Sequence, residues 1–171
     1  MENNEMVKQQ LKWEGKVTAK LTGPRADQIW CFLHNGFFSL NKWLPTLYIC
    51  RGVEGESGQL GCVSYCARPS IPSQDGSSVL SWCTEKLVAV DPVQRSFSYE
   101  IVHGNIGFNS YVSTIKVIDD DADNGCWNKW SFIVDPVPGW ILKDLICKYE
   151  LGLGNMARRM EEAALPNGVE A

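Results

Sequence analysis

From Trp13 onward apolar and polar residues alternate, with Trp13, Gly15, Val17, Ala19 and Leu21 set against Glu14, Lys16, Thr18 and Lys20. Successive side chains on a strand point to opposite faces, so this spacing predicts a half-buried first strand. Thr22-Gly23-Pro24 breaks it, and the period changes. Ile29, Trp30, Phe32 and Leu33 give a short helix one apolar stripe, and a second short helix is expected from Phe37 to Trp43, with Pro45 as its stop. Strand-like runs follow at Leu47 to Val53, Leu60 to Ala67, Val79 to Val90, Arg95 to Val102, Ser110 to Ile118 and Cys126 to Val134. Their separators have turn chemistry: Glu54 to Gly58, Pro69 to Ser78, Asp91-Pro92, His103 to Gly107 and Asp119 to Gly125. Short strands in sequence imply antiparallel hairpins.

Pro136 and Pro138 close the last strand, and one long helix is expected over 139–164, with Leu142, Leu145, Tyr149, Met156 and Met160 as its apolar stripe. Gly152 and Gly154 interrupt that stripe at a cost of about 1 kcal/mol each relative to Ala, so a packing or access reason should compensate. An antiparallel sheet must cover one face, and the terminal helix is the only predicted element long enough to do it. The expected class is therefore α+β: a curved seven-stranded antiparallel sheet wrapped around a long C-terminal helix, with two short helices after the first strand. Such an arrangement can enclose a pocket.

Composition narrows the function. The 171 residues suit one domain, expected over 11–165 with disordered tails at 1–10 and 166–171. A formal charge of −4, with no Lys or Arg cluster interleaved with aromatics, excludes a nucleic-acid footprint and an anionic membrane surface. No apolar run reaches bilayer-spanning length, so no membrane insertion is expected. The polar start lacks a signal-peptide pattern, which implies a cytoplasmic location, shared with the nucleus for so small a chain. Seven cysteines at 31, 50, 62, 66, 83, 126 and 147 form no Cys-x-x-Cys and are expected to be reduced and mostly buried. Cys62 and Cys66 share a strand face about 13 Å apart, too far for a disulfide. With two histidines no metal site is expected, and Asp119, Asp120, Asp121 and Asp123 lack the glycine and terminal acid of a calcium loop.

The best clue to chemistry is Glu85, midway along the run Val79 to Val90. Alternation puts it on one face with Ser81, Cys83, Leu87 and Ala89, mostly small residues that can line a hollow. A carboxyl in a dry hollow has its pKa raised by desolvation until it exchanges protons near neutral pH. The same pattern also fits a Glu85 that faces water and pairs across the sheet. Tyr99 and Tyr111 each sit among apolar neighbours on the fifth and sixth strands. Pointing inward with Glu85, they would supply two hydroxyl donors beside an acid; otherwise they are ordinary core tyrosines. Trp130 and Phe132 share parity on the last strand, as core or as a pocket floor, and Trp43 and Leu44 stand at its expected rim.

The order of elements, together with Trp13-Glu-Gly-Lys, Trp82-Cys-Thr-Glu-Lys-Leu-Val-Ala-Val-Asp91, Ser98-Tyr99 and Trp130-Ser-Phe132, resembles the plant lachrymatory-factor-synthase-like proteins. Those belong to the START-like, birch-pollen-allergen and polyketide-cyclase superfamily with the helix-grip fold. The resemblance runs from about Trp13 to Ala164. In the enzyme of that family a pocket arginine and a pocket glutamate serve rearrangement of a sulfenic acid to a thial S-oxide. Glu85 matches the glutamate, and Tyr99 and Tyr111 match two pocket tyrosines. The arginine has no counterpart, because Gly61-Cys-Val-Ser64-Tyr65 carries Ser64 at its place; Arg68 lies four residues along on the same face. A hydroxyl cannot imitate a guanidinium fork.

These readings imply a protein that binds a small hydrophobic or amphipathic molecule, with Ser64, Cys83, Leu145 and Tyr149 added to its ligand-binding residues and no cofactor. Glu85 would be its general acid and base. The alternatives are an isomerase or cyclase of the lachrymatory-factor-synthase kind and a hormone-receptor-like module, whose gate at Pro69 to Ser78 would meet a protein partner. His103 lies where hormone-binding relatives carry a latch, but Gly104 and Asn105 are not that latch, and a solvated turn histidine is expected.

Overall fold

A computed structural model describes residues 11–44, 46–47, 49–69 and 80–165. The tails expected at 1–10 and 166–171, and all of the expected gate except Pro69, lie outside the described residues. The seven strands are β1 (Trp13–Thr22), β2 (Ile49–Glu54), β3 (Val63–Pro69), β4 (Leu80–Asp91), β5 (Ser96–Gly104), β6 (Val112–Asp119) and β7 (Gly125–Val134). Two α-helices, α1 (Ala26–His34) and α2 (Leu142–Ala164), and a 3-10 helix (Phe37–Lys42) complete the fold. All seven strands join one antiparallel sheet in the order β1-β7-β6-β5-β4-β3-β2. The α+β architecture expected from the pattern is the one observed, a curved sheet holding a long C-terminal helix.

Local chemistry sets the boundaries. Gly139 turns with φ +81, so α2 begins at Leu142 and not at Gly139. Gly58 and Gly61 also take positive φ, and they keep Leu60 in an exposed turn while β3 starts at Val63. The first backbone N–H of α1, that of Ala26, donates to Asp119 Oδ1 at 2.8 Å, giving an acceptor to a helix whose Arg25 cap supplies none.

Helix α2 packs chiefly on β1, with further contacts to β7 and α1. Its buried face is Leu145, Leu153, Met156, Ala157 and Met160; Leu153 and Ala157 complete a stripe whose expected members Leu142 and Tyr149 are half-buried. Beneath it lie Val17, Leu21, Trp130, Phe132 and Val134. Gly15 pairs with Phe132 across the β1–β7 ladder, and a Cβ there would overlap the Phe132 ring, so only glycine lets the ring fold under α2. Gly152 and Gly154 have no such constraint. A Cβ at Gly152 would meet Leu44 at 4.0 Å, ordinary contact, and one at Gly154 would meet nothing within 4 Å. The expected packing reason for those two glycines is absent among the described residues.

Candidate functional site

Along β4, Cys83 and Leu87 are buried and Glu85 is half-buried between them, so the odd-numbered residues turn inward up to Leu87. The acid stands opposite Ser64 of β3 and Ile101 of β5. Two register shifts flank it, one at Thr84/Glu85 and one at Leu87/Ala89. Such bulges bend a strand and re-aim its side chains. The second corrects the expected inner face: Ala89 is exposed, and Val90 instead packs against the core opposite Phe97.

Burial pushes the Glu85 carboxyl from its ordinary 4.5 up to about 7, against a weaker opposing hydrogen bond from the Cys83 thiol, whose Sγ lies 3.8 Å from Oε1. The residue nevertheless keeps some accessible surface.

A second group of polar atoms lies among aromatic rings. Tyr99 is buried on β5, and Tyr111 is buried just before β6 rather than on it, after Ser110 at φ 53. Their rings are 6.2 Å apart. The Tyr111 and Tyr149 hydroxyls meet at 2.5 Å, joining the sheet to α2, while the Tyr149 ring stacks on Phe132 at 4.6 Å and meets Trp130 edge-on at 4.9 Å. Burial drives all three phenols up, Tyr111 to about 12 and Tyr99 and Tyr149 well above their usual range, so they are protonated donors. The charge of Glu85 adds to each shift, which places the acid within electrostatic reach of all three.

Ser113 belongs to this group and was not among the residues singled out in the sequence. It is fully buried, accepts the Trp130 indole N–H, and donates to the Ser131 carbonyl at 3.0 Å. Its hydrogen bonding acts on both Tyr99 and Tyr111. A serine sharing parity with buried apolar residues on a strand was the signal available.

The remaining candidates divide. Ser64 is fully buried directly across from Glu85; its hydroxyl donates to the Arg51 carbonyl at 3.4 Å. Cys83 is buried beside the acid, and its thiol is raised by burial and then by the charge of Glu85. Arg68 shares the inner face of β3, its charge reaches Cys83 and Lys148, and it forms no ion pair with Glu85. Leu145 is core. Leu44 faces Gly152. Trp43 is buried, stacks on Phe32 at 4.8 Å, and borders an outer cleft of about 820 Å³ with Lys42, Asn155, Arg158, Arg159 and Glu162. His103 is exposed at the end of β5. Among the described residues no three His, Cys, Asp or Glu side chains are arranged to hold a metal ion, and no helix is long and apolar enough to cross a membrane.

An acid that changes charge near neutrality, set close to neutral phenols, can give and take a proton while the hydroxyls stabilise a developing oxyanion.

The family model described as polyketide cyclase / dehydrase and lipid transport matches residues 14–161. The chain is similar to the solved protein XoxI from Bacillus cereus, at 23% identity and TM-score 0.65, over 88% of this chain and 94% of that one. Major latex-like protein 151 from Panax ginseng is 20% identical with TM-score 0.67, over 91% of this chain and 99% of that one. Ara h 8.0201 is 19% identical with TM-score 0.63, over 90% and 97%. At these identities the likeness establishes the fold.

Proposed function

Because the chain belongs to the polyketide cyclase / dehydrase and lipid transport family, we propose that it binds a small hydrophobic or amphipathic molecule between the sheet and α2, with Glu85 as its proton-exchanging group. One observation carries this reading. A carboxyl on the inner face of β4 is raised by desolvation to about 7, its charge reaches Tyr99, Tyr111 and Tyr149, and among the described residues it enters no ion pair. A structural ion pair would hold such an acid down; this one is held ready to be neutral or charged.

The finer reading is chemistry of the lachrymatory-factor-synthase kind, an isomerisation or cyclisation without cofactor. What supports it is that the two positions matching the family's arginine and glutamate, Ser64 and Glu85, face each other across the ladder; what weakens it is that the first is serine. With serine there, the site lacks the fork that would grip an anionic group, so its ligand is neutral or weakly polar at that end. Ligand binding is the primary role in this reading, and proton transfer acts on what is bound.

Mass spectrometry of small molecules that co-purify with the folded protein identifies the ligand class. With that molecule in hand, Glu85→Gln should abolish product formation and leave affinity within about threefold, since a proton-transfer group contributes to the transition state and not to uniform binding. Equal loss of both reduces Glu85 to a binding residue. Absence of any bound small molecule at micromolar concentrations sinks the reading.

A further inference from the structure

Three thiols lie in a row across the sheet beside Glu85. Cys50 of β2 is directly opposite Cys66 of β3, and Cys66 is directly opposite Cys83 of β4. The Sγ atoms of Cys50 and Cys66 are 3.2 Å apart. Directly opposed residues on antiparallel strands have Cα atoms about 4.5 or 5.5 Å apart, both inside the range a disulfide spans. All three cysteines are free. The 3-10 helix packs over β2 from the same side, as a Cβ on Gly52, two residues beyond Cys50, would overlap the Phe38 ring. Cys66 and Cys83 are buried, whereas Cys50 is half-exposed.

We propose that Cys50 and Cys66 form an oxidisable dithiol on the inner face of the sheet, closed by a peroxide into a disulfide that ties edge strand β2 to β3. The two thiols are unequal in access, which sets the order of events. Cys50 is partly exposed on the edge strand while Cys66 is buried behind it, so peroxide meets Cys50 first, as its thiolate. The Cys50 sulfur attacks one oxygen of hydrogen peroxide and the O–O bond breaks; a sulfenic acid forms, and the departing hydroxide takes a proton to leave as water. The Cys66 sulfur then attacks the Cys50 sulfur, an S–S bond forms as the S–O bond breaks, and the hydroxyl leaves as a second water with the Cys66 proton. Two thiols are oxidised and one peroxide is reduced to two waters. Cys83, opposite Cys66 but next to the charge of Glu85, stays a thiol. The inference is independent of which ligand the protein takes.

The test uses the full chain, reduced, freed of reductant and exposed to a few equivalents of hydrogen peroxide. Intact mass should fall by about 2 Da, the two hydrogens of one disulfide, and the loss should reverse with dithiothreitol. A non-reducing peptide map should show the link between the peptides that carry Cys50 and Cys66. Cys50→Ser and Cys66→Ser should each remove it, and Cys83→Ser should keep it. The wild-type map decides alone should a variant not fold. A link from Cys66 to Cys83, oxidation confined to the exposed Cys31 and Cys147, or survival of both thiols overturns the proposal.

Discussion

The two halves of the sheet do different work. On the β1–β7–β6 side the inner face carries Val17, Leu21, Trp130, Phe132, Ile115 and Val117 close-packed beneath α2 and α1. On the β2–β3–β4 side it carries Cys50, Ser64, Cys66, Cys83 and Glu85, small or polar, with Leu87 as the large apolar residue beside them, and the backbone of α2 comes no closer than weak contact there among the described residues. The backbone of α2 runs closest to β1, and the other half is met by longer reach, the charges of Arg68 and Glu85 acting on Lys148 and Tyr149 of the helix. Stability and chemistry are thereby separated within one continuous sheet. The tyrosines join them, since Tyr99 on β5 lies between the halves and neighbours Tyr111, which meets Tyr149 of the helix.

That division predicts unequal responses to truncation. Phe132→Ala should cost about 3–5 kcal/mol in urea unfolding, because the ring is fully enclosed by Gly15, Tyr111 and Tyr149. Cys83→Ala, equally inside the sheet but on the sparse half, should cost only about 1 kcal/mol. Comparable losses would dissolve the comparison.

The next largest effect is on pH dependence. The folded protein holds the Glu85 proton more tightly than the unfolded chain does, with its carboxyl raised from 4.5 to about 7. This stabilisation is complete below about 4.5 and is lost as pH rises through about 7, a decline of roughly 3 kcal/mol at most. Glu85→Gln should flatten that slope and unfold at higher denaturant than wild type above neutrality. An unchanged slope in the variant assigns the pH dependence elsewhere.

Ser64→Arg sharpens the contrast by supplying the cation that the sparse half lacks. It should bring the Glu85 titration down by about one to three pH units, read by NMR of the labelled carboxyl. Smallest is Tyr149→Phe, which removes the hydroxyl contact with Tyr111 while keeping the stacked ring; about 1 kcal/mol of stability should go, measured by thermal unfolding.

Strand count, helix placement and fold class were legible because each rests on local periodicity. Alternation along β1, the stripe of α2 and the turn residues between strands each carry their own signal. Parity set Glu85 on one face with Cys83 and Leu87, but whether that face looked inward or to water stayed open in the sequence, because small residues suit either side of a sheet. Relations between strands were not legible. Nothing in a single run of residues states that Cys50 pairs with Cys66, that Ser64 pairs with Glu85, or that Ser113 meets the Trp130 indole, since register depends on loops and partners distant in the chain. That Trp43 stacks on Phe32 and Leu44 lies against Gly152 was equally out of reach, since both contacts join segments distant in the chain. The expected Ala89 position missed a bulge, which adds no unusual residue to the sequence.

The bulge at Leu87/Ala89 gives β4 two phases. Before it, odd-numbered side chains face inward; after it, Val90 does. A strand of constant phase would have to choose between an acid on the inner face and a hydrophobe opposite Phe97. With one surplus residue the two ends of β4 are decoupled, so the chemistry at one end can drift in evolution while the other keeps the sheet sealed.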